Sequence, residues 1–110
     1  MNFSKKRLMK CSVSYSKTAI NDLRQIFRGV FSSCLDKNIT NKYLKNIKNK
    51  IERKVLFPNS GTPLYFAGSF TGFRYVIYKS YIAFYKVTEN KIIVERVLSA
   101  KSDYCSILLN

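Results

Sequence analysis

Residues Gly72–Asp103 read GFRYVIYKSYIAFYKVTENKIIVERVLSAKSD, and this stretch decides the fold. It holds three runs rich in β-branched and aromatic residues, Arg74–Tyr78, Tyr81–Val87 and Lys91–Leu98, separated only by Lys79-Ser80 and by Thr88-Glu89-Asn90. Turns that short between such runs indicate consecutive antiparallel strands, a small β-meander. Because side chains alternate along a strand, Ile82 and Phe84 fall on one face and Tyr81, Ala83 and Tyr85 on the other. In the last strand Ile92 and Val94 are expected to share a face with Arg96. One face should be buried under helices.

Just before the meander, Pro58, Gly61, Pro63, Gly68 and Gly72 mark a long loop that carries Leu64, Tyr65, Phe66 and Phe70. Those aromatics are expected to pack under the sheet, the alternative being that they present a binding surface. Leu44, Ile47, Ile51 and Val55 recur at helical spacing, with Thr40 as the expected cap and Asp36-Lys37-Asn38 as a break. Lys42, Lys45, Lys50 and Arg53 lie off that stripe, as a solvated face or a contact for phosphate or an acidic partner. Ala19, Ile20, Leu23, Ile26, Phe27, Val30 and Phe31 define an earlier helix capped by Ser16. Asp22 is expected to oppose the dipole in its opening turn, and Gly29 to mark a close approach or a bend.

Cys11, Val13 and Tyr15 alternate within Lys10–Tyr15, a short strand, and residues 1–9 form a basic, flexible lead. The tail from Ser102 closes with a turn of helix through Tyr104, Ile107 and Leu108. The order is therefore β-α-α-β-β-β, a two-layer α+β domain in which a helical hairpin packs on a curved antiparallel sheet. Residues 10–110 are read as one domain.

Charge bounds the function. The 110-residue chain has 20 Lys and Arg, six Asp and Glu, no His and a formal net charge of +14. That length supports one modest core, and that field calls for an anionic partner, a nucleic acid or an acidic protein. Hydrophobic residues make up 46%, too many for a disordered arm. No secretory core follows the basic start and nowhere do about 18 apolar residues run together, which reads as cytoplasmic. Cys11, Cys34 and Cys105 form no Cys-x-x-Cys pair and have no His to complete a metal set. They are expected to be core fillers in a reducing compartment, and neither a metal nor a cofactor is expected.

Four short stretches in this order are similar to the RelE/ParE superfamily of toxins from bacterial type II toxin-antitoxin systems: YSKTAINDL at Tyr15–Leu23, LFPNSGTP at Leu56–Pro63, YIAFYKV at Tyr81–Val87 and RVLSAKSD at Arg96–Asp103. The resemblance implies a growth-arresting toxin held inactive by an acidic antitoxin, the pair sitting on operator DNA through the antitoxin, as in plasmid stabilization systems. It also implies one of two targets. Members that cut mRNA on the ribosome need a base, a charge stabiliser and an acid for attack by the 2′-hydroxyl on phosphate. Aligned on Tyr85, their basic positions fall at Phe73, Tyr75, Ile82 and Ser102 and their terminal tyrosine at Leu108, nearly all unfilled here.

Arg74, Lys79, Lys101 and Tyr104 are the substitute catalytic candidates, expected to gather near one end of the sheet. With no His as general acid, a ParE-like action on DNA gyrase is favoured, although Ser99 stands where that branch has its usual His. Arg74, Arg96 and Lys101 are the candidate target contacts, Arg96 being read first as a structural ion-pair partner of Asp103 or of a group near Glu95. Tyr81 and Tyr85 are read as packing and not as a base-stacking platform. A non-catalytic nucleic-acid-binding protein on the same scaffold is the reading from another class.

Overall fold

The computed structural model of the chain describes residues 12–55, 57–89 and 91–109. The expected lead at 1–9, the beginning of the expected first strand at Lys10, and Cys11 lie outside them. The elements are β1 (Ser12–Tyr15), α1 (Lys17–Cys34), α2 (Lys37–Glu52), two single 3₁₀ turns (Arg53–Val55 and Pro58–Ser60), β2 (Thr62–Phe66), β3 (Ser69–Tyr78), β4 (Tyr81–Thr88), β5 (Lys91–Ser99) and α3 (Tyr104–Leu109). The sheet order is β1-β5-β4-β3-β2. β1 runs parallel to β5, and every other pairing is antiparallel.

The α+β architecture and the antiparallel meander match the sequence reading, with one strand more than expected and with β1 joining the sheet in parallel. Thr62–Phe66, read as part of a loop, is the edge strand β2. Pro63 and the flanking glycines resemble turn punctuation, yet an edge strand is the place in a sheet that tolerates a missing N–H.

Ser16 caps α1 by accepting from the Ala19 N–H at 2.9 Å, and its hydroxyl donates to Glu95 O, joining helix and sheet. The cap of α2 is Asp36, not Thr40: the Asp36 carboxylate accepts from the N–H groups of Asn38 and Ile39. A carboxylate satisfies two orphan donors and carries charge that the helix start favours. Thr40 is instead buried inside the helix, its hydroxyl donating back to Asp36 O at 2.8 Å.

Under the helices lies a core of Ala19, Ile26, Ile47 and Ile51 against Val76, Ala83, Tyr85, Ile92, Val94 and Val97. Tyr85 belongs to this core and Tyr81 packs at its margin, as expected for packing groups. A bulge between Phe84 and Tyr85 leaves Glu95 without a cross-strand partner, since Tyr85 faces Val94 and Phe84 faces Arg96. The alternation is therefore displaced, and Val97 instead of Arg96 continues the helix-side row.

Two local expectations change. A Cβ added at Gly29 would meet nothing within 4 Å, so no close approach explains the glycine there. Among the described thiols, Cys34 is exposed and Cys105 half-buried, so neither fills the core.

Candidate functional site

The sheet face away from the helical hairpin carries a second apolar cluster of Leu64, Phe73, Ile82, Phe84 and Leu98. Tyr75, Tyr104 and Leu108 pack against it. Phe84 is fully buried between Tyr75 and Tyr104, with ring centroids 5.9 and 5.2 Å away. α3 brings Tyr104 and Leu108 onto this face, and its entry is fixed by Ser102 Oγ donating to Ser99 O and by Ser106 Oγ donating to Asp103. Four of the five positions where ribonuclease members carry charged or phenolic groups, Phe73, Tyr75, Ile82 and Leu108, thus interlock in one apolar layer. Lys86 stands over it, its Nζ 4.6 Å from the Phe73 ring centroid.

The four catalytic candidates divide among separate places. Lys79 sits in the β3–β4 turn and Lys101 in the β5–α3 turn, and Ala100 N donating to Ser80 O at 2.8 Å holds the two turns together at one end of the sheet. Both lysines are exposed. Arg74 lies farther along β3, opposite Tyr85. Its Nη1 donates to the carbonyls of Asn59 and Gly61, both at 3.0 Å, and its guanidinium lies 5.4 Å from the Phe70 ring centroid. Tyr104 is committed to Phe84 on the other face. The expected gathering at one end thus holds for Lys79 and Lys101 and not for Arg74, whose strand position and backbone contacts keep it away.

Arg96, the other candidate contact, is a structural partner as expected, but its partner is Asp22 and not Asp103 or a group near Glu95. Its Nε and Nη2 donate to the Asp22 carboxylate at 2.8 and 3.1 Å, and the Val97 N–H donates to the same carboxylate at 2.9 Å. The hydrogen bond to Asp22 raises the guanidinium pKa above its ordinary value. Asp22 therefore serves the sheet and not the opening turn of its helix. β1 ends opposite Val94, so β5 is an open edge beyond that point and the carboxylate takes up one of its N–H groups.

A groove of about 510 Å³ runs between β1, α1 and α2. Apolar side chains of Val13, Ile20, Leu23, Phe27 and Leu44 line it, with Arg24 and Lys48 in its wall. At one end the Tyr15 hydroxyl donates to Glu52 at 3.1 Å, and Lys48 Nζ stands 5.8 Å from the Tyr15 ring centroid. Burial, then the neighbouring Glu52 carboxylate, pushes the Tyr15 phenol upward. The two helices carry eight Lys and Arg against Asp22 and Glu52, both already engaged. The apolar stripe of α1 is visible in the sequence, but that part of it stays uncovered is not.

Among the described residues no group of three or more His, Cys, Asp and Glu could hold a metal ion, and no helix is long and apolar enough to cross a membrane.

A basic helical hairpin laid across a five-stranded sheet, with a cationic outer layer and an open groove, defines a small toxin of the RelE/ParE superfamily. Residues 13–104 match the family described as ParE toxin of type II toxin-antitoxin system, parDE, and the chain belongs to that family. Its structure is similar to one from the chromosomal ParDE TA system of P. aeruginosa, with a TM-score of 0.66 and 16% identity over 82% of this chain and 96% of that one. YafQ from E. coli strain BL21(DE3) aligns with a TM-score of 0.48 and 16% identity over 90% and 98% of the two chains. A chain of the E. coli DinJ-YafQ toxin-antitoxin complex aligns at 0.49 and 19% over 93% and 100%. At these identities the likeness is one of fold. No curated protein sequence matches the chain.

Proposed function

We propose that this toxin arrests growth by binding DNA gyrase in the manner of the ParE branch. The observation that carries the reading is the apolar layer of Phe73, Tyr75, Ile82 and Leu108. Phosphodiester cleavage develops charge on phosphorane oxygens and needs preorganised donors aimed at it, and at these four positions the face offers packed rings and aliphatic chains, with Lys86 as the cation beside them. Lys79 and Lys101 lie in two exposed turns that meet, with the Tyr78 ring beside Lys79 but no His to serve as general acid near neutral pH. The match of the chain to the ParE family supports the same branch. Purified protein should block supercoiling by gyrase and leave mRNA intact on translating ribosomes; codon-phased cuts with normal supercoiling would reverse the assignment.

Its partner in the cytoplasm is an acidic antitoxin that covers the helical layer. The solved systems it resembles are described as toxin-antitoxin assemblies. Here a +14 surface supplies steering for an anionic chain, and the groove lined by Ile20, Leu23, Phe27 and Leu44 supplies apolar anchorage. The pair binds operator DNA through the antitoxin on this reading, the toxin's cationic helical layer being covered in the complex. Co-expression of a short acidic reading frame found beside the gene should restore growth if that frame encodes the antitoxin, and continued arrest would count against it.

A further inference from the structure

The β2–β3 hairpin is unlike the rest of the chain. Residues 57–73 contain no Asp, Glu, Lys or Arg, in a protein where 24% of residues are charged. At its end Phe66 pairs with Ser69 around a two-residue turn, Ala67 and Gly68, with φ of 54° and 84°. Two positive φ values in succession make the tight turn that matches strand twist, so the tip is fixed and not a floppy loop. Tyr65, Phe66 and Phe70 are nevertheless 59%, 54% and 47% exposed, with the Tyr65 and Phe70 rings 5.8 Å apart. The sequence reading expected them to pack under the sheet; only Leu64 does.

The reason is a bulge. Pro63 faces Arg74 and Tyr65 faces Phe70, so residues 71–73 of β3 oppose Leu64 alone. Gly72, at φ 92°, allows the detour, and the Thr71 hydroxyl donates to Leu64 O at 2.8 Å in place of a ladder bond. Around the foot of this uncharged arm stand cations: Lys50 and Lys54 share a cleft with Ser60 and Thr62, Arg74 lies opposite Pro63, and Lys86 covers Phe73. No acid occurs between Arg53 and Thr88.

We propose that this arm is the docking element for the toxin's target, and that the target is an acidic protein with an apolar cleft into which Tyr65 and Phe66 insert. Exposed rings on a preorganised support are the composition of an interface anchor, and the surrounding cations suit an anionic rim. A nucleic-acid strand would call for cations among the rings, as on stacking platforms, whereas residues 57–73 contain none and Arg74, from the foot, reaches only the Phe70 ring among the described residues. A second copy would set two +14 chains against each other. The proposal deepens the gyrase reading and shares with it a protein target.

The test is Tyr65→Ser and Phe66→Ser, singly and together, in cells expressing the full chain, with thermal melting of each purified variant. Growth arrest relieved at least tenfold in colony count by folded, soluble variants is the expected result. If the same variants lose inhibition of purified gyrase, both readings stand; if the wild-type chain arrests growth without affecting gyrase while the variants do not, the arm stands and gyrase falls. Undiminished arrest overturns the arm. So does absence of arrest by the wild type, loss of binding to a single-stranded DNA oligonucleotide in step with lost arrest, or a dimer that the variants dissociate in sedimentation.

Discussion

The Asp22 carboxylate on α1 receives three hydrogen bonds from β5, two from the Arg96 guanidinium and one from the Val97 N–H. It is the fastening between helical layer and open strand edge, with the Arg96 and Asp22 side chains 27% and 11% exposed. Removing Asp22 strands a part-buried guanidinium and a backbone donor together. Asp22→Ala should therefore cost about 1–3 kcal/mol in chemical denaturation, and Arg96→Ala less, because the carboxylate keeps the Val97 bond. A double-mutant cycle should give a coupling of about 0.5–3 kcal/mol; additive losses would show that the pair contributes nothing beyond its parts.

Arg74 and Lys101, both candidate contacts from the sequence, are predicted to separate on mutation. Arg74 ties β3 to the carbonyls of Asn59 and Gly61, in the segment that the Tyr85 hydroxyl also holds through Pro58 O. Arg74→Ala should lower stability by about 1–3 kcal/mol, read from the urea midpoint. Lys101 is exposed in a turn, and Lys101→Ala should leave that midpoint within about 0.5 kcal/mol. Equal effects from the two would contradict the assigned roles.

Much of the architecture is legible in the sequence because it depends on local periodicity. The meander, both long helices and the Ser16 cap follow from spacing within single elements. What escapes depends on contacts between distant elements. Asp22 looks like a residue of its own helix until β5 is known to lie open beside it. The displaced alternation at Arg96 comes from a bulge that no composition signals. β2 is hidden because Pro63 and Gly68 are as suited to an edge hairpin as to a loop. The exposed aromatics of that hairpin cannot be told from core residues, since hydrophobicity is the same in both settings. For the candidate site, the absence of His and the apolar residues at ribonuclease positions are visible from the start; that they interlock into one layer requires coordinates.

Phe84 should be among the most sensitive positions on that layer. It is fully buried and contacts aromatic partners on both β3 and α3. Phe84→Ala should cost about 3–5 kcal/mol, combining lost transfer energy with an unfilled cavity. Near-ultraviolet circular dichroism of the tyrosine environment should weaken as well, because Tyr75 and Tyr104 lose their common neighbour. A loss under about 1 kcal/mol would mean that α3 does not seal this face in solution.

Alkaline stability should depend on Tyr15. Burial and then the Glu52 carboxylate hold its phenol protonated above the ordinary value of 10.0. The unfolded phenol loses its proton first, so the stability supplied by the protonated side chain is whole below about pH 10 and declines as pH rises beyond it. Urea unfolding between about pH 8 and pH 11 should show that fall in the wild type and a shallower one in Tyr15→Phe. Parallel slopes would show that Tyr15 is not the group responsible.

Gly61 meets the most confining environment of the chain's glycines. A Cβ placed there would lie 1.9 Å from the Tyr85 hydroxyl oxygen and 2.7 Å from the ring carbon that bears it. Tyr85 cannot retreat, being fully buried, with its hydroxyl donating to Pro58 O at 3.1 Å. Gly61→Ala must therefore move backbone or expel the ring, at a cost of about 1–3 kcal/mol or more. Tyr85→Phe removes the nearest atom, and the double variant should lose less than the sum of the two single losses, because part of the collision vanishes with the hydroxyl. Strict additivity in thermal and urea unfolding would place Tyr85 farther from the chain at Gly61 than the packing described, and would loosen the anchor on which Arg74 and the foot of the hairpin both depend.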